Sequence, residues 1–172
     1  MRVYIPTTLV ALQQLVADRH LLVVNGTAFA VTPTLREAYA EGDDDELAEV
    51  ALREAALASL RLLAAGADST SDSGLPPRRA VVVADTGADV EVTARPDLDD
   101  AVVRLRGPLP IDAVVAVYVD NADAEPAVLA AVEVIDDADL GDEDAELTVG
   151  DAQDHDLAWY APQELPFLLE LL

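Results

Sequence analysis

Four short apolar runs in this chain each lead into a helix-starting signal, and this order constrains the fold more than any other feature. The runs and their signals are Val3–Ile5 before Thr7-Thr8, Ala28–Val31 before Thr32-Pro33, Val115–Val119 before Asp120-Asn121, and Leu157–Tyr160 before Ala161-Pro162. Runs rich in β-branched and aromatic residues favour strands, whereas Thr, Asp, Asn and Pro are typical of a helix start. Four such units in 172 residues predict a single α+β domain: helices packed against a mixed, partly antiparallel sheet.

The longest helix is predicted from Asp43 to about Ala65. Asp43 suits the N-cap, and the acidic residues that follow it interact well with the positive end of the helix dipole. Aromatic residues are only 4% of the chain, so its core must consist mainly of Ala, Val and Leu. The Ala- and Leu-rich remainder of this helix therefore indicates a central, buried position.

The middle and the end of the chain give three further predictions. Residues 66–77 are rich in Gly, Ser, Asp and Pro and predict a flexible linker. The segments Arg79–Asp85, Val90–Arg95 and Val102–Arg106 are separated by turn residues and predict an antiparallel meander. Residues 136–156 are acidic and poor in large apolar side chains, so we expect an irregular acidic loop there.

The charge distribution is strongly one-sided. The first 106 residues hold all ten Arg, there is no Lys, and the last 66 residues carry seventeen carboxylates. The formal net charge of −24 disfavours binding to nucleic-acid phosphates and to anionic membranes, because the chain has no basic stripe. No apolar segment approaches the ~20 residues that span a bilayer and no secretory signal pattern is present, so we expect a cytoplasmic protein.

Sequence motifs for chemistry are weak. The absence of Cys excludes disulfides and zinc–thiolate sites. The acidic segment 136–146 invites comparison with a calcium-binding EF-hand loop, but Ala138 and Leu140 occupy ligand positions. We therefore expect no cofactor and no dedicated metal site, only weak association of divalent cations. His155 lies between Asp154 and Asp156, which suits a general acid or a pH-sensitive contact, or else an ordinary surface position.

The strand–helix junctions supply the remaining candidates. If the four junctions face the same way, their polar residues converge at one edge of the sheet, where open α/β sheets bind ligands. The candidate binding residues, with His155 included, are Thr7, Thr32, Arg36, Tyr39, Asp120, Asn121, His155, Tyr160 and Gln163. The alternative is that Thr, Asp and Asn serve only as helix caps, which explains Arg36 and Tyr39 least well. No catalytic residue is identified.

Four segments carry a resemblance that extends over the whole chain: Met1–Thr8, Ala28–Pro33, Asp123–Val128 and Leu157–Leu165. On these segments the chain resembles an uncharacterised family of small actinobacterial proteins, a domain of unknown function. The resemblance implies no activity and supplies no catalytic residues.

Two hypotheses of function follow. The preferred one is a soluble, acidic protein-binding or regulatory module whose C-terminal half contacts a basic protein or a second copy of itself. The alternative is a carboxylate-based enzyme, assisted by Mg²⁺, at the strand–helix junction edge. The enzyme hypothesis predicts a concave pocket that holds Arg36 and at least two converging carboxylates, whereas the binding hypothesis predicts a broad acidic face. A nucleic-acid mimic is a third candidate, but the irregular spacing of carboxylates in residues 136–156 argues against it.

Overall fold

The computed structural model describes residues 1–39, 41–66 and 74–172. Residues 67–73 of the predicted linker lie outside this described part. The strands are β1 (Arg2–Thr7), β2 (His20–Leu21), β3 (Thr27–Phe29), β4 (Ala80–Asp85), β5 (Val92–Ala94), β6 (Val102–Leu105), β7 (Leu109–Pro110), β8 (Val114–Val119) and β9 (Ala158–Tyr160). The helices of the described residues are α1 (Leu9–Asp18), α2 (Pro33–Ala38), α3 (Asp44–Ala65), α4 (Glu125–Asp139), α5 (Glu143–Gln153) and α6 (Leu165–Glu170).

Seven strands form one sheet in the order β5-β6-β3-β1-β4-β8-β9, and β2 pairs with β7 separately. The predicted α+β architecture is confirmed, and every strand pair in the described chain is antiparallel. The predicted meander is wrong in part. β5 and β6 form a hairpin, but β4 lies between β1 and β8. Burial accounts for this order: residues 80–84 are buried on both faces, as is typical of a central strand, whereas β5 is partly exposed and suits an edge.

Helices cover both faces of the sheet. One face packs against α1 and α6 through residues such as Ile5, Leu12 and Leu165. The other face packs against α2 and α3 through residues such as Tyr4 and Ala55. The C-terminal half of α3 in turn packs against α4 and α5. The central position predicted for α3 is confirmed, and none of the described helices has the length and apolar character needed to cross a bilayer.

The acidic loop predicted at residues 136–156 is wrong, because this segment is the end of α4 followed by α5. Ala145, Val149 and Ala152 recur at helical spacing and are buried, so small apolar side chains suffice to pack α5. The Asp142 side chain accepts a hydrogen bond from the backbone N–H of Ala145 at 2.9 Å, and three acidic residues occupy the first turn. The carboxylates that suggested a loop therefore favour a helix start.

Candidate functional site

A buried ion pair joins the start of β4 to the end of β8. The Arg79 side chain is 2% exposed and the Asp120 side chain is 0% exposed. The guanidinium of Arg79 donates from Nε to Asp120 Oδ2 at 2.9 Å and from Nη2 to Oδ1 at 2.7 Å. The backbone N–H of Arg79 also donates to Oδ2, at 2.7 Å. The carboxylate is therefore held by three hydrogen bonds in a bidentate geometry, which is the strong form of this pair.

The same guanidinium fastens the end of α5 and the following turn to the sheet. Arg79 Nη1 donates to Gln153 Oε1 at 2.8 Å, and Nη2 donates to the carbonyl oxygen of His155 at 2.8 Å. The Gln153 amide in turn donates to the carbonyl oxygen of Arg53 on α3, at 3.1 Å. One buried cation thus connects β4, β8, α5 and, through Gln153, α3.

A second buried contact supports the same edge of the sheet. The Ser59 hydroxyl of α3 donates to the carbonyl oxygen of Thr7 at 2.7 Å and accepts the backbone N–H of Ala80 at 3.0 Å. Ser59 is fully buried, and it sits in the long helix because its hydroxyl is used by two strands rather than by solvent.

A cleft of about 330 Å³ opens beside the ion pair. Its lining comprises Glu49, Leu52, Arg53, Ala56, Arg79, Gln153, His155, Asp156 and Leu157. The cleft lies between α3 and the turn that joins α5 to β9, so the contacts of Arg79 and Gln153 fix both of its walls. The cleft and the Asp120 carboxylate beneath it have a formal charge of −1 with His155 neutral. Glu49, Asp156 and Asp120 are negative, and the two Arg residues of the lining are positive.

The four strand–helix junctions do not converge. β1 and β8 run in one direction, whereas β3 and β9 run in the opposite direction because the intervening pairs are antiparallel. Of the nine candidate residues, the structure brings four together at the Arg79 edge: Thr7, Asp120, Asn121 and His155. Thr32 and Gln163 follow the ends of β3 and β9, at the opposite edge of the sheet.

The remaining candidates have local roles. Thr32 caps α2 by accepting the backbone N–H of Leu35 at 3.1 Å, as the capping alternative predicted. Arg36 forms an ion pair with Asp44 on the surface.

Tyr39 ends α2 and is half exposed, and Tyr160 packs on the α1 side of the sheet. Gln163 lines a second cleft, of about 400 Å³, near the long Arg19–Asp112 pair of 3.8 Å.

Asp120 and Asn121 do not cap α4. This helix begins after a short 3-10 turn, and its N-cap, Ala124, makes no side-chain capping bond. The capping alternative is therefore wrong for Asp120, whose carboxylate is used entirely by Arg79.

The α4–α5 hairpin, residues 125–153, and the turn after it carry many exposed carboxylates, and we refer to this surface as the acidic face. The exposed carboxylates from residue 133 to residue 154 are Glu133, Asp136, Asp137, Asp139, Asp142, Glu143, Asp144, Glu146, Asp151 and Asp154. Within the described chain, Asp139 is the member of this set that has an ion-pair partner, Arg61 of α3, at 2.9 Å. The hydrogen bond from Arg61 lowers the pKa of Asp139 below its ordinary value.

The sequence profile of one family matches residues 1–169, nearly the whole chain. The chain belongs to this family of unknown function, DUF6912. No curated protein and no solved structure shows significant similarity to the chain.

In this DUF6912 chain the described residues include no group of three or more His, Asp or Glu side chains placed to hold a metal ion. The key residue that sequence reasoning misses is Arg79, because the local pattern marks it only as the start of a strand. Its signal was a cation directly before the five apolar residues 80–84, with Asp120 directly after the apolar strand β8. Two opposite charges at the ends of buried strands indicate a buried pair once the strands are known to be antiparallel neighbours.

Proposed function

We propose that this protein is a non-catalytic binding module that recognises a basic partner protein through the acidic face of the α4–α5 hairpin. The observation that carries the proposal is the set of ten exposed carboxylates in residues 133–154, of which Asp139 has an ion-pair partner in the described chain. Uncompensated like charges on one face destabilise a free protein, and a partner of opposite charge removes that repulsion.

The arginines of the described chain neutralise few of the carboxylates on the acidic face. Eight of the ten form ion pairs, and two of these pairs, Arg61–Asp139 and Arg78–Glu125, involve a carboxylate of the hairpin. The acidic face is also built on two packed helices, so its charges keep fixed relative positions. A fixed field of one sign supports fast and specific association with a basic surface.

The geometry gives less support to an enzyme. Arg36 lines neither cleft, and it pairs with Asp44 on the surface. The first cleft does hold Glu49 and Asp156, but its buried cation is already neutralised by Asp120.

Two matched variants test the proposal. The hairpin variant carries Asp136→Asn, Asp137→Asn, Asp144→Asn and Glu146→Gln, and the control variant carries Asp18→Asn, Glu37→Gln, Asp89→Asn and Glu170→Gln. Each removes four exposed carboxylates, so both reduce the net charge from −24 to −20. The probe is an octa-arginine peptide, and its affinity is measured by calorimetry at 0.15 M salt.

We expect the hairpin variant to bind the probe at least about tenfold more weakly than the control variant, which corresponds to about 1.4 kcal/mol. Equal affinities for the two variants would mean that the probe senses only net charge, and the proposed role of the hairpin would then be wrong.

A further inference from the structure

The side of the sheet that faces α3 is incompletely covered at its β9 end. The helix packs over β1, β3 and β4, and β9 is the last strand of the sheet in the described chain. Trp159 of β9 lies directly opposite Tyr118 of β8, so both side chains occupy the same side of the sheet. Trp159, the single Trp of the chain, is 56% exposed there.

This exposed aromatic surface is continuous with the cleft beside Arg79. Leu157 lines the cleft directly before β9, and Trp159 lies two residues further along the chain, where side chains return to the same side. Leu157 and Tyr118 are half-buried against the α3 side of the core. The groove formed by the cleft, Leu157, Tyr118 and Trp159 therefore has an apolar, aromatic floor; we refer to it as the β9 groove.

The free charges along the β9 groove are mainly negative. Glu49 and Asp156 line it, both are exposed, and neither is in an ion pair within the described chain. Arg79 is neutralised by Asp120 beneath it. Arg53 is the opposing free charge, and it lies toward Gln153, to whose carbonyl oxygen it donates at 3.4 Å.

We infer that the β9 groove binds a basic segment of the partner protein, with an arginine side chain stacked on Trp159 and neutralised by Asp156 and Glu49. This inference rests on the proposed function and specifies where the partner is anchored. A guanidinium stacks on an indole face through cation–π attraction, and the carboxylates that line the adjoining cleft add charge complementarity. Large exposed aromatic side chains are also the residues that most often dominate protein interfaces.

The single Trp makes the test site-specific. The full chain is titrated with octa-arginine while the emission of Trp159 is followed, and octa-citrulline serves as the uncharged control of similar shape. We expect a saturable change in emission with octa-arginine and none with octa-citrulline. Trp159→Ala should weaken binding about two- to fivefold by calorimetry, the range expected for an exposed cation–π contact.

A matched pair of variants tests the carboxylates. Glu49→Gln/Asp156→Asn and Asp18→Asn/Glu37→Gln both reduce the net charge from −24 to −22. We expect the first to bind octa-arginine several-fold more weakly than the second. Far-UV circular dichroism of each variant, including Trp159→Ala, checks that the fold is retained.

The outcomes separate the two proposals. If the hairpin variant loses affinity while Trp159 emission and Trp159→Ala show no effect, the groove inference is wrong and the proposed function stands. If neither the hairpin nor the groove variants differ from their controls, both are wrong. The cleft would instead be an anion-binding site if inorganic phosphate binds saturably, Arg53→Gln abolishes that binding, and octa-arginine gives no response. If the chain self-associates and Trp159→Ala abolishes this, the β9 groove would instead bind a second copy of the chain.

Discussion

Replacing Asp120 by Ala removes the carboxylate that neutralises the buried Arg79. Three hydrogen bonds to the carboxylate are lost, and the guanidinium keeps only Gln153 Oε1 and the carbonyl oxygen of His155 as acceptors. A charge that is 2% exposed cannot recover these bonds from water.

The expected loss follows from the burial of both partners. Removing one member of a buried ion pair typically costs about 3–5 kcal/mol. For a chain of this size each kcal/mol lowers the melting temperature by about 2–4 °C, so Asp120→Ala should lower it by about 6–20 °C. Replacing both partners, as Arg79→Met/Asp120→Leu, should cost less than Asp120→Ala alone, because no unpaired charge remains buried.

Urea unfolding followed by circular dichroism at 222 nm measures these free energies of unfolding. The double variant provides the control, since it also alters the packing at this edge but leaves no stranded ion. A loss below about 1 kcal/mol for Asp120→Ala would refute the argument that this pair is buried and bonded as described. So would a double variant that is less stable than Asp120→Ala.

Three further predictions concern stability. Burial first, and the nearby charge of Asp99 second, raise the pKa of Glu54. Because its pKa is raised in the folded chain, ionised Glu54 destabilises the fold, and this cost is absent at low pH. Glu54→Gln should therefore stabilise the protein at pH 7, and the gain should vanish below the ordinary pKa of 4.5. Thermal melts across pH 3–8 check this. Because the pKa of Asp139 is lowered in the folded chain, its pair with Arg61 contributes stability above pH ~4 that is lost on acidification. Arg61→Gln should flatten this part of the stability–pH profile, and the free energy of unfolding measured at a series of acid pH values checks it. Ser59→Ala should cost about 1–3 kcal/mol in urea unfolding, because a buried N–H and a carbonyl oxygen both lose their side-chain partner.

Local patterns in the sequence predicted the elements well where a single mechanism operates. Thr8, Thr32 and Asp43 were expected to cap helices, and each accepts the N–H three residues on. The seven strands of the main sheet were predicted because runs rich in β-branched residues favour strands, whereas the short β2–β7 pair was not predicted. Both results depend only on neighbouring residues.

The predictions were wrong where the structure depends on contacts between distant parts of the chain. The position of β4 between β1 and β8 depends on long-range pairing, which local turn signals do not encode. The acidic segment 136–156 appeared irregular because α5 is packed by Ala and Val rather than by large apolar residues. Arg79 and Asp120 are 41 residues apart, so their pairing became visible only with the strand order.

The most direct test of the proposed function is affinity capture from a lysate of the source cells. The wild-type chain, the hairpin variant and the control variant are immobilised at equal density and washed at 0.15 M salt. We expect the wild type and the control variant to retain a basic protein in stoichiometric amounts, and the hairpin variant to lose it. Retention of a basic protein by all three chains, or by none of them, would contradict the proposed function.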